Sequence, residues 1–169
     1  TLHVATSLTP GTLYSAQVSA FNDRGYNEPR LALPGALAPP KQKPDLPTQT
    51  SLIVNTASSL KVLWNHPASA GGDMITKYKV EWDSKASFDS GPAGAPIGVH
   101  NVILTTPATD CVTTPCSYVI ASLVKGTAYF VRVFTYNSYG YSVRGASSSP
   151  ASQVPKTQPA PPVSVAIAP

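Results

Sequence analysis

Where the chain has a regular pattern, apolar and polar residues alternate with a period of two, which places alternate side chains on one face of a β-sheet. Leu60, Val62 and Trp64 alternate with Lys61 and Leu63, and Tyr78, Val80 and Trp82 alternate with Lys77, Lys79 and Glu81. A third inward series, Tyr129, Val131, Val133 and Thr135, ends at a turn running from Asn137 to Gly140. Turn-forming residues separate these runs, Ser69 to Asp73 among them, and no helical periodicity appears. Short alternating strands with turns between them predict an all-β sandwich. On the third strand the outward positions are Phe130, Arg132, Phe134 and Tyr136, a row that makes a candidate interface if exposed. The alternative is that a neighbouring segment folds over it, since strands can be buried on both faces.

The chain also repeats itself. At an offset of 115 residues Leu8 falls on Leu123, Gly11 on Gly126, Tyr14 on Tyr129, Val18 on Val133, Asn22 on Asn137 and Pro40 on Pro155, in one ungapped register. A long fixed period is the signature of an array. It predicts three parts: 1–43 as the last strands of one module, 44–158 as a complete module, and 159–169 as the first strand of the next. Equivalent Pro-rich segments, Leu37 to Pro47 and Val154 to Pro162, cannot form helix or central strand and read as stiff connectors between modules.

Composition changes this picture little. Charged residues are 12% of the chain against 18 Pro, which disfavours charged surface helices, while 42% hydrophobic residues suffice for a core. A net charge of +4 raises nucleic-acid binding, but the cations are scattered with no concentrated basic face, so none is expected. No apolar run approaches the roughly 20 residues of a bilayer span, so no membrane insertion is expected of this segment.

The strand sequences resemble the fibronectin type III family, whose modules are seven-stranded two-sheet sandwiches. Leu60 to Trp64 is similar to its strand B with the core Trp, and Ile75 to Trp82 to its strand C with the core Tyr78. Tyr118 to Leu123 and Gly126 to Val133 resemble strand E, the E–F corner and strand F. The resemblance implies that Tyr129 is the corner tyrosine, with its hydroxyl bonded to backbone near Leu123, and that Leu8, Tyr14 and Val18 repeat the arrangement in the preceding module. One departure is an insertion at about 84–115, within which His100 to Leu104 adds a strand or lies as a loop over a sheet.

Candidate chemistry is sparse. Cys111 and Cys116 flank a Thr-Thr-Pro turn that can bring the sulfurs together, and modules of this family are usually extracellular, so a local disulfide is expected. So short a ring contributes roughly 2 kcal/mol in the loop-entropy picture. A zinc site would need a further Cys or His nearby, which His3, His66 and His100, scattered along the sequence, do not promise. Asp83 and Asp89 lack the dense oxygen donors calcium requires, no phosphate loop is present, and the histidines pair with no nucleophile. No catalytic residue, metal or cofactor is therefore expected. There is no Asn-x-Ser/Thr sequon, whereas Ser, Thr and Pro leave O-linked glycans open.

The expected function is a structural or adhesive extracellular or cell-surface protein assembling into a rod or fibre, with other copies or neighbouring modules as partners and glycans as a further possibility. Completion of the first fragment by another subunit is one way such a filament would form. The competing expectation is a spacer or ligand-binding module of a secreted enzyme or receptor ectodomain, because fold does not fix function.

Overall fold

The computed structural model describes residues 3–104, 111 and 113–157. Within them, strands follow in the order β1 (Gln17–Val18), β2 (Phe21–Asn22), β3 (Gly25–Tyr26), β4 (Arg30–Leu31), β5 (Thr48–Thr56), β6 (Ser59–Asn65), β7 (Lys77–Asp83), β8 (Gly98–Ile103), β9 (Cys116–Ile120), β10 (Tyr129–Asn137), β11 (Gly140–Tyr141) and β12 (Ala146–Gln153). The only helical element among them is a single 3₁₀ turn at Pro92–Gly94. No helix of the described residues is long and apolar enough to cross a membrane.

Strands β5, β6 and β9 pair antiparallel as one layer. Strands β8, β7, β10 and β12 form the other, with β11 folded back on β10. A single parallel pairing, Ser149 with Ser51, joins the layers along one side. The core lies between them. Leu52, Leu60, Val62, Trp64 and Ile120 come from the first layer and Tyr78, Val80, Val102, Val131 and Val133 from the second. These are the inward positions of each alternating run, and pleating is the reason one face of every strand reaches the core. Trp64 and Tyr78 are both fully buried and meet edge to face with ring centroids 5.4 Å apart. Trp82, read as core from its place in the alternation, is only half-buried: it sits at the sandwich edge beside Tyr118, ring centroids 6.4 Å apart. It packs against the core from its margin, with its indole lying over Gly98 of the neighbouring strand, so alternation put it on the right face without setting its degree of burial.

The insertion resolves in favour of a strand. β8 pairs with β7 from Lys77 with Ile103 to Trp82 with Gly98, which adds an edge strand to the second layer. His100, on that strand, stacks on Tyr118 of β9 with centroids 4.2 Å apart and so bridges the two layers at their open edge. Asp83 anchors the loop that begins the insertion. Its fully buried carboxylate accepts hydrogen bonds from the amides of Lys85 (2.9 Å) and Ser90 (3.0 Å). Burial pushes its pKa up, but bonds from Ser90 and from the Lys85 and Ile97 amides outweigh it, so the carboxyl titrates below its ordinary range.

Residues 3–40 make a smaller arrangement. β1 pairs with β4, β2 with β3, and Tyr14 bridges to Leu37. Its apolar side chains stand open: Leu13, Val18 and Leu31 are each about two-thirds or more exposed. Leu8, Tyr14, Ala16, Leu37 and Pro39 line an apolar groove of about 450 Å³. The Pro-rich stretch after Leu37 is extended and fastened to the sandwich. Gln42 and Asp45 donate their amides to the carbonyls of Gly71 and Ser69, each at 2.9 Å. Asn137 donates to the Gln42 carbonyl at 2.8 Å, and the Thr135 hydroxyl donates to that of Asp45. The expected first strand at 159–169 lies outside the described residues.

Candidate functional site

The register of β7 against β10 builds the outer face of the second layer. It sets Lys77 opposite Tyr136, Lys79 opposite Phe134 and Glu81 opposite Arg132. Side chains directly opposite on one face of an antiparallel pair interact, and here each pair does. The Lys77 ammonium lies 4.0 Å above the Tyr136 ring and that of Lys79 lies 4.2 Å above Phe134. Glu81, itself buried, holds Lys79 at 2.6 Å and Arg132 at 2.7 Å. The Arg132 guanidinium in turn lies 4.0 Å from the Phe88 ring, which the insertion loop brings in. Tyr141, on β11, completes the row 4.8 Å from Tyr136 and donates its hydroxyl to Asn101 of β8 at 3.2 Å.

The four outward residues of β10 are thus neither bare nor roofed. Phe130, Arg132, Phe134 and Tyr136 are all half-buried, the first two bordered by the insertion and the last two covered by the cations of β7. From the insertion, Phe88 caps Arg132, and Ala86 and Phe88 border Phe130 in a small pocket with Ser147 and Ala151. Lys79 and Arg132 share the Glu81 carboxylate, and with Lys77 the row sets three cations against the two carboxylates Glu81 and Asp83, so the face carries net positive charge. Each cation–aromatic pair is worth about 0.5–1 kcal/mol at such exposure. Their larger effect is to hold long side chains in fixed rotamers, which lowers the entropy lost when a partner lands on them. The sequence named the β10 residues but missed Lys77, Lys79, Glu81 and Tyr141. Their signal was present in the polar alternation of β7, and only the strand register pairs the two rows.

The E–F corner has the expected geometry. Tyr129 is buried, and its hydroxyl accepts the amide of Val124 at 3.1 Å, next to the buried Leu123, whose own amide reaches the Ser58 carbonyl at 2.8 Å. Tyr14, half-buried, accepts the amide of Thr9 at 3.0 Å, the equivalent bond 115 residues earlier. The sequence profile of the fibronectin type III domain matches residues 45–153. The chain belongs to the fibronectin type III family.

Among proteins similar to this fibronectin type III chain is human ankyrin repeat and fibronectin type-III domain-containing protein 1, 33% identical over 98 residues, which are 58% of this chain and 7% of that protein. Rat neogenin is 28% identical over 137 residues, 81% of this chain and 9% of neogenin. The chain thus spans less than a tenth of the length of these relatives. Domains d3–d4 of the rat CD45 extracellular region superpose with a TM-score of 0.58 at 16% identity, covering 91% of this chain and 69% of that one, a likeness of fold.

At the opposite edge of this fibronectin type III sandwich, Cys111 and Cys116 form the disulfide. β6 and β9 bring a histidine to it. Trp64 pairs with Cys116, and His66 follows two residues later in the chain. One ring nitrogen of His66 and the two sulfurs lie within 4.8 Å of one another. The scattered placement of the histidines in sequence argued against any such neighbour, and the folded structure corrects this for His66. Its Nδ1 is 2.7 Å from the hydroxyl of the buried Tyr78, which fixes the ring against the core.

Proposed function

We propose that this segment is a non-catalytic structural or adhesive module of an extracellular or cell-surface protein, and that the outer face of β7 and β10 is its contact surface for a neighbouring module or a second copy of the chain. The observation that carries this reading is the preordered row of Lys77, Lys79, Arg132, Phe134, Tyr136 and Tyr141, half-exposed and rich in the aromatic and arginine side chains that dominate protein interfaces. The disulfide supports an oxidising location. The 115-residue period, the repeated tyrosine bond and the hydrogen-bonded stretch from Gln42 to Asp45 support a rod of modules with restricted hinges.

Sedimentation velocity of the full chain across a concentration series tests the surface. Self-association is expected in the native chain and should weaken at least tenfold in Phe134→Ser/Tyr136→Ser. A strictly monomeric native chain, or association unchanged by the double substitution, overturns the reading. The small share of its relatives' length that the chain covers favours a second reading, a spacer or ligand-binding module within a larger multidomain protein. Peptide and glycan arrays on the same variants separate the two.

A further inference from the structure

The Cys111–Cys116 clip and His66 form a cluster that the proposed contact surface on β7 and β10 does not use. Three observations bear on it. The two sulfurs and a His66 nitrogen lie within 4.8 Å of one another. Tetrahedral zinc with bonds of about 2.3 Å to sulfur and about 2.0 Å to nitrogen sets these ligand atoms about 3.5–3.8 Å apart, so once the S–S bond is broken the sulfurs must part by nearly 2 Å and the imidazole nitrogen approach by about 1 Å. Both cysteines are buried, and Trp64, in register with Cys116, has a buried indole N–H with no acceptor among the described residues. His66 is exposed, so the site is apolar around the sulfurs, where that strengthens metal–thiolate bonding, and open to water on its histidine side. The Tyr78 hydroxyl holds Nδ1 of His66, which leaves Nε2 as the free ring nitrogen. Outer-shell oxygens hold metal-ligating histidines in this way.

We propose that, once its disulfide is reduced, this module binds one zinc ion through Cys111, Cys116 and His66, with a water in the fourth position. The redox balance is simple. A dithiol or a phosphine supplies two electrons, the S–S bond breaks, and two protons complete two thiols. Zinc then displaces both protons and is held by two thiolates and a neutral imidazole. The clip and the metal site are mutually exclusive states of the same residues, so the local redox potential selects between them. The fold survives the exchange because the clip closes a loop of only a few residues and so removes little entropy from the unfolded chain.

The chain has two cysteines, so every thiolate–metal signal belongs to this pair. The full chain is reduced anaerobically with a water-soluble phosphine, freed of it, and titrated with Co²⁺ followed by Zn²⁺, with circular dichroism recorded throughout. One equivalent of Co²⁺ should bind with a thiolate-to-cobalt charge-transfer band that Zn²⁺ abolishes, while the oxidised chain takes up none. His66→Gln should weaken Zn²⁺ binding at least tenfold, and Cys111→Ser/Cys116→Ser should remove the band. The proposal is overturned if the reduced, folded chain binds no metal, if it unfolds and Zn²⁺ does not restore it, or if His66→Gln binds as tightly as the native chain, which would mean an adventitious dithiol.

Discussion

Replacing Asp83 with Asn isolates the physical basis of the inserted strand. The carboxylate has no exposed surface and accepts two backbone amides, Lys85 at 2.9 Å and Ser90 at 3.0 Å. Hydrogen bonds to a charged group contribute about 1.5–3 kcal/mol each. Asn keeps one acceptor oxygen and turns an NH₂ donor toward the other amide, so one bond is lost and a donor faces a donor. With one such bond lost and the other kept, the expected loss is about 2 kcal/mol. For a module of this size that is a fall in Tm of roughly 8 °C, read by circular dichroism at pH 7. The pH dependence supplies a second arm. The folded pKa of Asp83 is depressed, so between the folded and unfolded values the unfolded chain binds more protons. The stabilisation is therefore present above the unfolded value of about 3.9 and lost as pH falls through the depressed folded pKa. Native and Asp83→Asn chains should begin to converge in stability below about pH 4 and meet once pH has fallen through the depressed folded pKa. A Tm change under about 2 °C at pH 7, or a gap that widens in acid, would refute the reasoning.

Tyr129→Phe removes the acceptor for the Val124 amide and should lower stability by about 1 kcal/mol in urea denaturation without changing the m-value. Gly98→Ala would set a Cβ into the Trp82 indole, so Trp82 should swing outward, with red-shifted fluorescence and a loss of about 1–3 kcal/mol, while buried Trp64 stays unperturbed. Burial pushes the Tyr78 hydroxyl up to about 12, so the unfolded chain releases this proton first. Stability should therefore be whole below about pH 10 and fall as pH rises toward 12, a loss that spectrophotometric titration and unfolding should find absent from Tyr78→Phe.

The sequence by itself determined the sandwich, because a period-two pattern has one consequence for a sheet and each inward residue of β6 and β10 went where alternation sent it. It also determined the corner tyrosine, whose bond is local in the chain, and the disulfide, whose partners are five residues apart. β5 and β12 were less legible. β12 reads as Ser and Pro with little apolar alternation, and its pairing with β10 and β5, not its propensity, makes it a strand. Only the tertiary structure decided what surrounds Phe134 and Tyr136, since the cations above them come from β7, far away in the chain and joined to β10 by register alone. Likewise only the fold brings His66 to Cys116: His66 directly follows β6, which pairs antiparallel with β9 where the latter begins at Cys116, and sequence distance gives no measure of such a long-range contact.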